Sequence, residues 1–308
     1  MIKLVSVVIP TYKRSEFLLR TIESVLNQTY KNIEILVVDD NGLGTEFQKE
    51  TQEKLQSLID SGSITYIPHE INKNGSAARN TGFKASKGEF INFLDDDDEL
   101  MPDKIEKQVE TLELCGLEYG ATYCNSTVKR IQNISRKLIV KSSHYIQEGD
   151  VLEVYLLDCC CFGTSSLLFR REIVETLNGF DESYIRHQDV ELLTRFFTIS
   201  KIKATGEQPL IIYDVTKDRS NVVTPTKDFD VKTKYLSQFK SLFEERNILY
   251  PVCYHFWYKC ALNALVCYDY KVYRKAYTEM RKYGHCTRKE FTNMLKRFII
   301  GLLRMIGL

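Results

Sequence analysis

The chain contains no run of 18 apolar residues, so no segment is expected to span a membrane. A secretory leader is not expected either: the apolar run LVSVVIP is short, stops at a proline and is followed by Tyr12-Lys13-Arg14. Net charge is almost absent, +1 over 308 residues, which argues against a polyanionic partner. A disulfide framework is missing as well. The nine cysteines are an odd number, and Cys159, Cys160 and Cys161 are contiguous, so a reducing cytoplasm is expected. Cys253, Cys260 and Cys267 recur every seven residues but lack the histidine partners at i+3 or i+4 that a metal site wants. They are expected to be small core residues on one helix face. Internal repeats and low-complexity linkers are also lacking.

What is present is an ordinary globular composition, 44% hydrophobic and 27% charged, long enough for one large domain or a domain with an appendage. The near-zero net charge conceals an asymmetry. Val231 to Leu308 carries fifteen Lys/Arg against five Asp/Glu, and the first 230 residues carry 27 against 36. An acidic body with a basic tail predicts a two-part protein.

Residues 4–10, β-branched and continuously apolar, predict a strand buried on both faces. Ser15 is placed to cap a helix whose stripe is Leu18, Leu19, Ile22, Val25 and Leu26. IEILVVDD (33–40) predicts a second buried strand, Glu46 to Ser61 a helix, ITYIP (64–68) a short strand, and 72–86 a polar loop running into a helix. EFINFL (89–94) predicts a strand that delivers Asp95, Asp96, Asp97 and Asp98. Strand and helix alternate, the pattern of an α/β domain, in which ligands bind beyond the carboxyl ends of the strands. Thr11, Asp39, Asp40 and the four aspartates all fall at such ends.

Several nucleotide sites are excluded by what the turns lack. The turn after the first strand reads PTYKRS, with neither G-x-G-x-x-G nor a glycine-rich basic loop, and no G-x-x-x-x-G-K-[ST] occurs. An EF-hand beginning at Asp95 would need glycine where Leu100 stands. Two carboxylates ~5 Å apart repel by about 3 kcal/mol at an effective dielectric of ~20, so four in a row at a strand end call for positive charge. A hard divalent cation, Mn²⁺ or Mg²⁺, shared with a substrate diphosphate fits. In an extended chain Asp95 and Asp97 share one face while Asp96 and Asp98 point away. By itself the D-x-D spacing also fits a solvated acidic turn.

Three stretches in order, VSVVIPTYKR, LLRTIESVLNQTYKNIEILVVDDNG and NGSAARNTGFKASKGEFINFLDDDDELMPDKI, resemble the family 2 glycosyltransferases of the GT-A fold. The resemblance covers about residues 4–110. It continues more loosely through GTSSLLFRREIVETLNGFDESYIRHQDVELLTRF (163–196), which is similar to the family's acceptor half. It implies an α/β GT-A domain, Rossmann-like with a mixed or parallel central sheet flanked by helices, over residues 1–229. The donor half would be about 1–110 and the acceptor half about 111–229, with a basic α-helical region at 230–308. It implies an inverting, metal-dependent transfer of a hexosyl or N-acetylhexosaminyl group from a nucleotide-sugar donor.

Site roles follow the resemblance position by position. Thr11 resembles the residue that meets the nucleotide base. Asp40 matches the acid that reads uracil, with Asp39 beside it. A carboxylate accepts the uracil N3–H, which cytosine lacks, although thymidine fits nearly as well. Arg79 resembles a residue near the donor diphosphate. Asp97 is assigned the metal, Asp95 and Asp96 face the ribose and donor sugar, and Asp98 stands behind them. Asp189, in His187-Gln188-Asp189-Val190-Glu191, matches the base that takes the acceptor's proton, with Gln188 where many members carry Glu. His187 is expected to be positional, Glu191 to contact the acceptor or orient its loop, and Asp181 to shape the acceptor loop.

The acceptor is expected to be a glycan or lipid-linked saccharide of bacterial cell-surface polysaccharide biosynthesis, and nucleic acid is not expected. In the tail, Phe291, Met294, Leu295, Phe298, Leu302, Met305 and Ile306 fall on one face of a basic helix over 289–308. That helix is suited either to peripheral contact with the inner face of the plasma membrane or to packing on its own domain or a dimer partner. A processive synthase is disfavoured, because Trp257 is the sole tryptophan and no Q-x-x-R-W stretch occurs. A non-catalytic sugar-binding module would be expected to lose the metal aspartates or the base, and both are present.

Overall fold

The structure is a computed structural model that describes residues 2–131, 138–157, 163–215 and 224–305. The Cys159–Cys161 run and Ile306 lie outside the described residues. The chain forms two compact units, one from residues 1–152 and 160–218, the other from 153–159 and 219–308.

In the first unit the elements run β1 (Val5–Thr11), α1 (Ser15–Leu26), β2 (Ile33–Asp39), α2 (Glu46–Asp60), β3 (Thr65–Pro68), α3 (Gly75–Ala85), β4 (Phe90–Phe93) and β5 (Asp98–Leu100). They continue as α4 (Lys104–Leu114), β6 (Tyr119–Ile131), β7 (Leu138–Ser142), the short α5 (Leu152–Leu156), which from residue 153 on belongs to the second unit, a 3₁₀ turn (Thr164–Ser166), β8 (Leu167–Arg170), α6 (Arg171–Thr176), α7 (Gln188–Ile199) and β9 (Lys201–Val215). The sheet order is β3-β2-β1-β4-β8-β6-β9-β5, with β7 on β6. β1 to β4 pair in parallel, β8 runs antiparallel to both β4 and β6, and β5 runs antiparallel to β9. The sheet is therefore mixed, GT-A-like and flanked by helices.

The register explains why the polar clusters meet. Thr11 stands opposite Asp39, so β1 and β2 end together; β4 stops earlier, with Phe93 opposite Val8, and the residues that follow it bring Asp96 to Thr11. Three strands separate β4 from β5 in the sheet. A flat sheet would place them ~19 Å apart, while the five Cα steps from Phe93 to Asp98 reach at most ~18 Å fully extended. The chain also turns at residues 96–97, so the sheet must curl. α3 lies close against β1 and β2, and Gly82 makes this possible, because a Cβ there would collide with Val8 Cγ1 and sit 3.1 Å from Val38 Cγ2.

Two expectations about α1 need correction. Ser15 does not cap the helix; it is the first helical residue and its hydroxyl donates to Glu50 at 2.8 Å. Leu18, Ile22 and Val25 are buried as the stripe requires, but Leu26 is 41% exposed at the helix end.

The second unit is helical: α8 (Pro225–Gln238), α9 (Lys240–Glu245), α10 (Leu249–Val266), α11 (Tyr270–Arg281) and α12 (Arg288–Met305). α10 is buried on most sides, and α8, α9, α11 and α12 pack on it. Cys253 and Cys260 are buried there, whereas Cys267 is exposed at the helix end and leaves the expected shared face. A reciprocal cap starts α12: Glu290 accepts from the Thr287 amide, and the Glu290 amide donates to Thr287 Oγ1. The expected single apolar face of α12 is split. Met294 is buried, while Phe291 and Leu295 face solvent. No described helix is long and apolar enough to cross a membrane.

Lys104 of α4 is fully buried, with Nζ donating to Gln108 Oε1 at 2.6 Å. Burial lowers its pKa to about 8, against a smaller opposing effect of Cys124. Below pH 8 both folded and unfolded chains hold the proton and the fold carries the full penalty. Between pH 8 and 10.5 only the unfolded chain keeps it, so stability rises with pH across that window. Denaturant unfolding at pH 7 and pH 9 should show wild type gaining about 1 kcal/mol relative to Lys104→Met. A difference independent of pH contradicts this.

Candidate active site

The site lies at the carboxyl ends of β1, β2 and β4. At the end of β2, Asp39 is fully buried. Its carboxylate accepts from the Tyr66 hydroxyl at 2.6 Å and the Asn41 amide at 2.9 Å. Burial pushes its pKa above the ordinary range despite both bonds. Asp40 turns the other way. Its Oδ1 meets His69 Nδ1 at 2.7 Å and the Lys73 amide at 2.8 Å; Oδ2 accepts from Asn72 Nδ2 at 2.8 Å and the Asn74 amide at 2.9 Å. A carboxylate offers about four lone-pair sites. The expectation that Asp40 reads a base therefore does not fit, because the loop leading into α3 occupies all of them. The Asp39 carboxylate is bonded by Tyr66 and Asn41 alone among the described residues.

The Asp95–Asp98 segment departs from the extended geometry expected of it. The chain turns at residues 96–97, and the Asp98 amide donates to the Asp95 carbonyl at 3.2 Å. That turn swings Asp98 inward. Oxygens of Asp95, Asp97 and Asp98 lie within 4.8 Å of one another, so Asp98 belongs with the possible ligands rather than behind them. Asp96 points back toward β1, where it accepts from Thr11 Oγ1 at 2.8 Å and from Arg14 Nη1 at 3.3 Å. Thr11 thus serves Asp96 in this structure. Burial raises the Asp96 pKa to about 7, although Arg14 and Thr11 pull it down.

Positive charge reaches the turn from two directions. Arg14 also contacts Asp97 at 3.1 Å, and Arg79 Nη2 pairs with Asp95 at 2.5 Å. Arg20 and Thr21 hold the backbone: Arg20 Nη2 donates to the Asp97 carbonyl, and Thr21 Oγ1 lies 2.9 Å from the carbonyls of Asp96 and Asp98. Ser165 Oγ accepts from the Asp95 amide at 3.0 Å. Three carboxylates this close still repel by about 3 kcal/mol per pair at an effective dielectric of ~20. Their hard oxygens fit a divalent cation. Arg14 and His69 were both missed in the sequence. Arg14 follows β1 directly and could be found by asking what neutralises the aspartates; His69 has no comparable signal.

α3 ties this half to the α7 loop. Asn74 caps α3 by accepting from Ser76 and Ala77 amides, and its Nδ2 donates to the Glu182 carbonyl. Asn80 bonds Phe180 through both ends of its amide, and Ser76 donates to the Tyr184 carbonyl. Arg79 Nη1 reaches Gln188 Oε1 at 2.9 Å, so one guanidinium links Asp95 to the residue before Asp189. Among the described residues Arg79 Nε has no hydrogen-bond partner. Gln188 Nε2 donates to the Tyr184 carbonyl.

Asp189 sits half-buried in the first turn of α7, and among the described residues its carboxylate makes no hydrogen bond or ion pair. His187 starts that helix in a left-handed conformation, φ +57°. Glu191 is only 1% exposed and forms two bonds with Arg195, which also donates to the carbonyls of Leu177 and Gly179. Through Arg195, Glu191 ties the first turn of α7 to the turn at 177–179. Asp181 accepts from the amide and hydroxyl of Ser183, which makes it a turn residue of that loop.

Residues 6–177 match the sequence model of Glycosyl transferase family 2. The amylovoran biosynthesis glycosyltransferase AmsB of Erwinia amylovora is 34% identical over 210 residues, 68% of this chain and 68% of that protein. Two rickettsial glycosyltransferases match over 60% of their own length. Among solved structures, Staphylococcus aureus TarS 1–349 in complex with UDP-GlcNAc superposes with TM-score 0.59 at 15% identity, covering 92% of this chain and 93% of that one. Mannosyltransferase PcManGT from Pyrobaculum calidifontis, in complex with GDP-Man and Mn²⁺, gives 0.57 at 16% identity, covering 99% and 88%.

Proposed function

We propose a reaction that starts from one premise: the chain belongs to glycosyl transferase family 2. It transfers a sugar, hexosyl or N-acetylhexosaminyl, from a nucleoside diphosphate donor to a hydroxyl of a glycan or lipid-linked acceptor, with inversion. A UDP-sugar is the donor that the reading favours. The observation that carries it is the convergence of Asp95, Asp97 and Asp98 within 4.8 Å, one guanidinium away from the loop of the unengaged Asp189. The relative named for amylovoran biosynthesis supports a role in cell-surface polysaccharide assembly. The complexes of the structural neighbours with UDP-GlcNAc and with GDP-Man and Mn²⁺ support a nucleotide sugar and a cation.

Asp95, Asp97 and Asp98 would hold Mn²⁺ or Mg²⁺, which when bound screens the charge that builds on the leaving diphosphate. Asp39, its carboxylate bonded by Tyr66 and Asn41 alone among the described residues, takes the base-reading role beside Thr11. Arg79 keeps Asp95 in place and offers its Nε–H to a phosphate oxygen. Asp189 accepts the proton of the acceptor hydroxyl as that oxygen attacks the anomeric carbon from the face opposite the diphosphate. The paired arrangement with Gln188 keeps Asp189 the one carboxylate of that pair.

Asp189→Asn should reduce transfer by ~10²- to 10⁴-fold. It should leave the metal-dependent thermal stabilisation by UDP intact, while Asp97→Ala abolishes that stabilisation. Coupled assays and melting curves with Mn²⁺ or EDTA separate the two. An active Asp189→Asn, or no nucleotide response in wild type, contradicts the reading.

The same reading places the enzyme at the cytoplasmic face of a membrane. On α12, Phe291, Leu295 and Ile299 are 64%, 51% and 46% exposed at i, i+4 and i+8, with Arg288, Lys296 and Arg297 on the same helix. Apolar side chains among lysines and arginines suit an anionic lipid surface. Wild type should sediment with anionic phosphatidylglycerol vesicles and Leu295→Glu/Ile299→Glu should not; equal sedimentation contradicts the membrane contact.

A further inference from the structure

Tyr213 of β9 is the Cα partner of Asp98 in the antiparallel β5–β9 pair. Directly paired residues of two antiparallel strands project to the same face, so the tyrosine stands beside a carboxylate of the cluster. Its ring packs against the core formed by β1, β2, α1 and α4. Its hydroxyl is buried and, among the described residues, has no hydrogen-bond partner. Ser166 lies beside it, but the serine hydroxyl donates to the Gly163 carbonyl at 2.8 Å and does not form a hydrogen bond with the tyrosine. Gly163 leaves the space: a Cβ there would come within 3.3 Å of Tyr213 Oη.

An unpaired buried hydroxyl destabilises a fold, and phenylalanine would fill the same volume without that penalty. The position keeps a polar atom with no described function in the free protein. A phenol keeps its proton at neutral pH. The group is therefore available as a donor to an anion.

We propose that Tyr213 is a donor-binding residue whose hydroxyl donates to an anionic oxygen that the nucleoside diphosphate brings to the Asp95–Asp97–Asp98 cluster. This rests on the reading of that cluster as a nucleotide-sugar site. The phenol brings a hydroxyl from β9 to a cluster held by the residues between β4 and β5 and by the first residue of β5. It is an uncharged donor placed where a further carboxylate would add repulsion and a further lysine would compete with the cation.

The test uses the full chain, wild type and Tyr213→Phe, in three measurements. Melting curves without ligand should give Tyr213→Phe a midpoint equal to or above that of wild type. Calorimetric titration with UDP in the presence of Mn²⁺ should show affinity lowered five- to twentyfold. Titration with Mn²⁺ alone should show no change. Equal UDP affinity in the two proteins overturns the inference. So does a parallel loss of affinity for Mn²⁺ alone, which would place the hydroxyl on the carboxylates, or a fall in the unliganded midpoint, which would give it a structural partner. If wild type itself does not bind UDP with Mn²⁺, the functional reading fails and the inference falls with it. If wild type binds and the variant binds equally, only the inference fails.

Discussion

Residues 94–97 carry the chain from β4 to β5 across a sheet in which β8, β6 and β9 stand between those two strands. So short a link reaches only because the sheet curls, and it must turn on the way. The turn converts a row of four aspartates into a convergent set: Asp95, Asp97 and Asp98 on one side, Asp96 on the other. Mutual repulsion then sets the demands on everything nearby. Arg14 and Arg79 approach from β1 and α3, and Arg20 and Thr21 hold the backbone from α1. Hard oxygens brought together at this density fit a divalent cation.

The second constraint is the bracket that α3 makes. Gly82 lets the helix approach the sheet, which fixes where Arg79 and Asn80 point. Asn80 holds the loop at 180–182, and Arg79 spans from Asp95 to Gln188. The buried Glu191–Arg195 pair secures the other end of that loop. One helix thereby sets the spacing between the Asp95–Asp98 carboxylates and the loop that carries Asp189. Proximity of this kind is effective only when the scaffold is stiff.

Much of this was legible in the sequence, for identifiable reasons. Buried parallel strands write themselves as continuous β-branched runs, and ligand groups at their carboxyl ends follow from the α/β pattern. The losses come from contacts that no local pattern encodes. Asp98 was misplaced because alternation holds only for extended chain, and the chain turns there. Asp40 was misread because its partners, His69, Asn72, Lys73 and Asn74, lie some thirty residues away. The apolar face of α12 was drawn as one stripe, whereas packing on α10 takes Met294 and leaves Phe291 and Leu295 outside. Tyr213 is invisible to any local reading, since only the β5–β9 register sets it opposite Asp98.

In the proposed reaction the turn at Asp95–Asp98 binds a divalent cation together with a nucleoside diphosphate. Binding of the two must then be reciprocal, each tightening the other by the same factor. The most direct measurement is Mn²⁺ titration followed by electron paramagnetic resonance, with and without UDP, on wild type and Asp98→Ala. The account predicts that UDP tightens Mn²⁺ binding at least tenfold in wild type and not in the variant. Mn²⁺ affinity that is unchanged by UDP in wild type would contradict it.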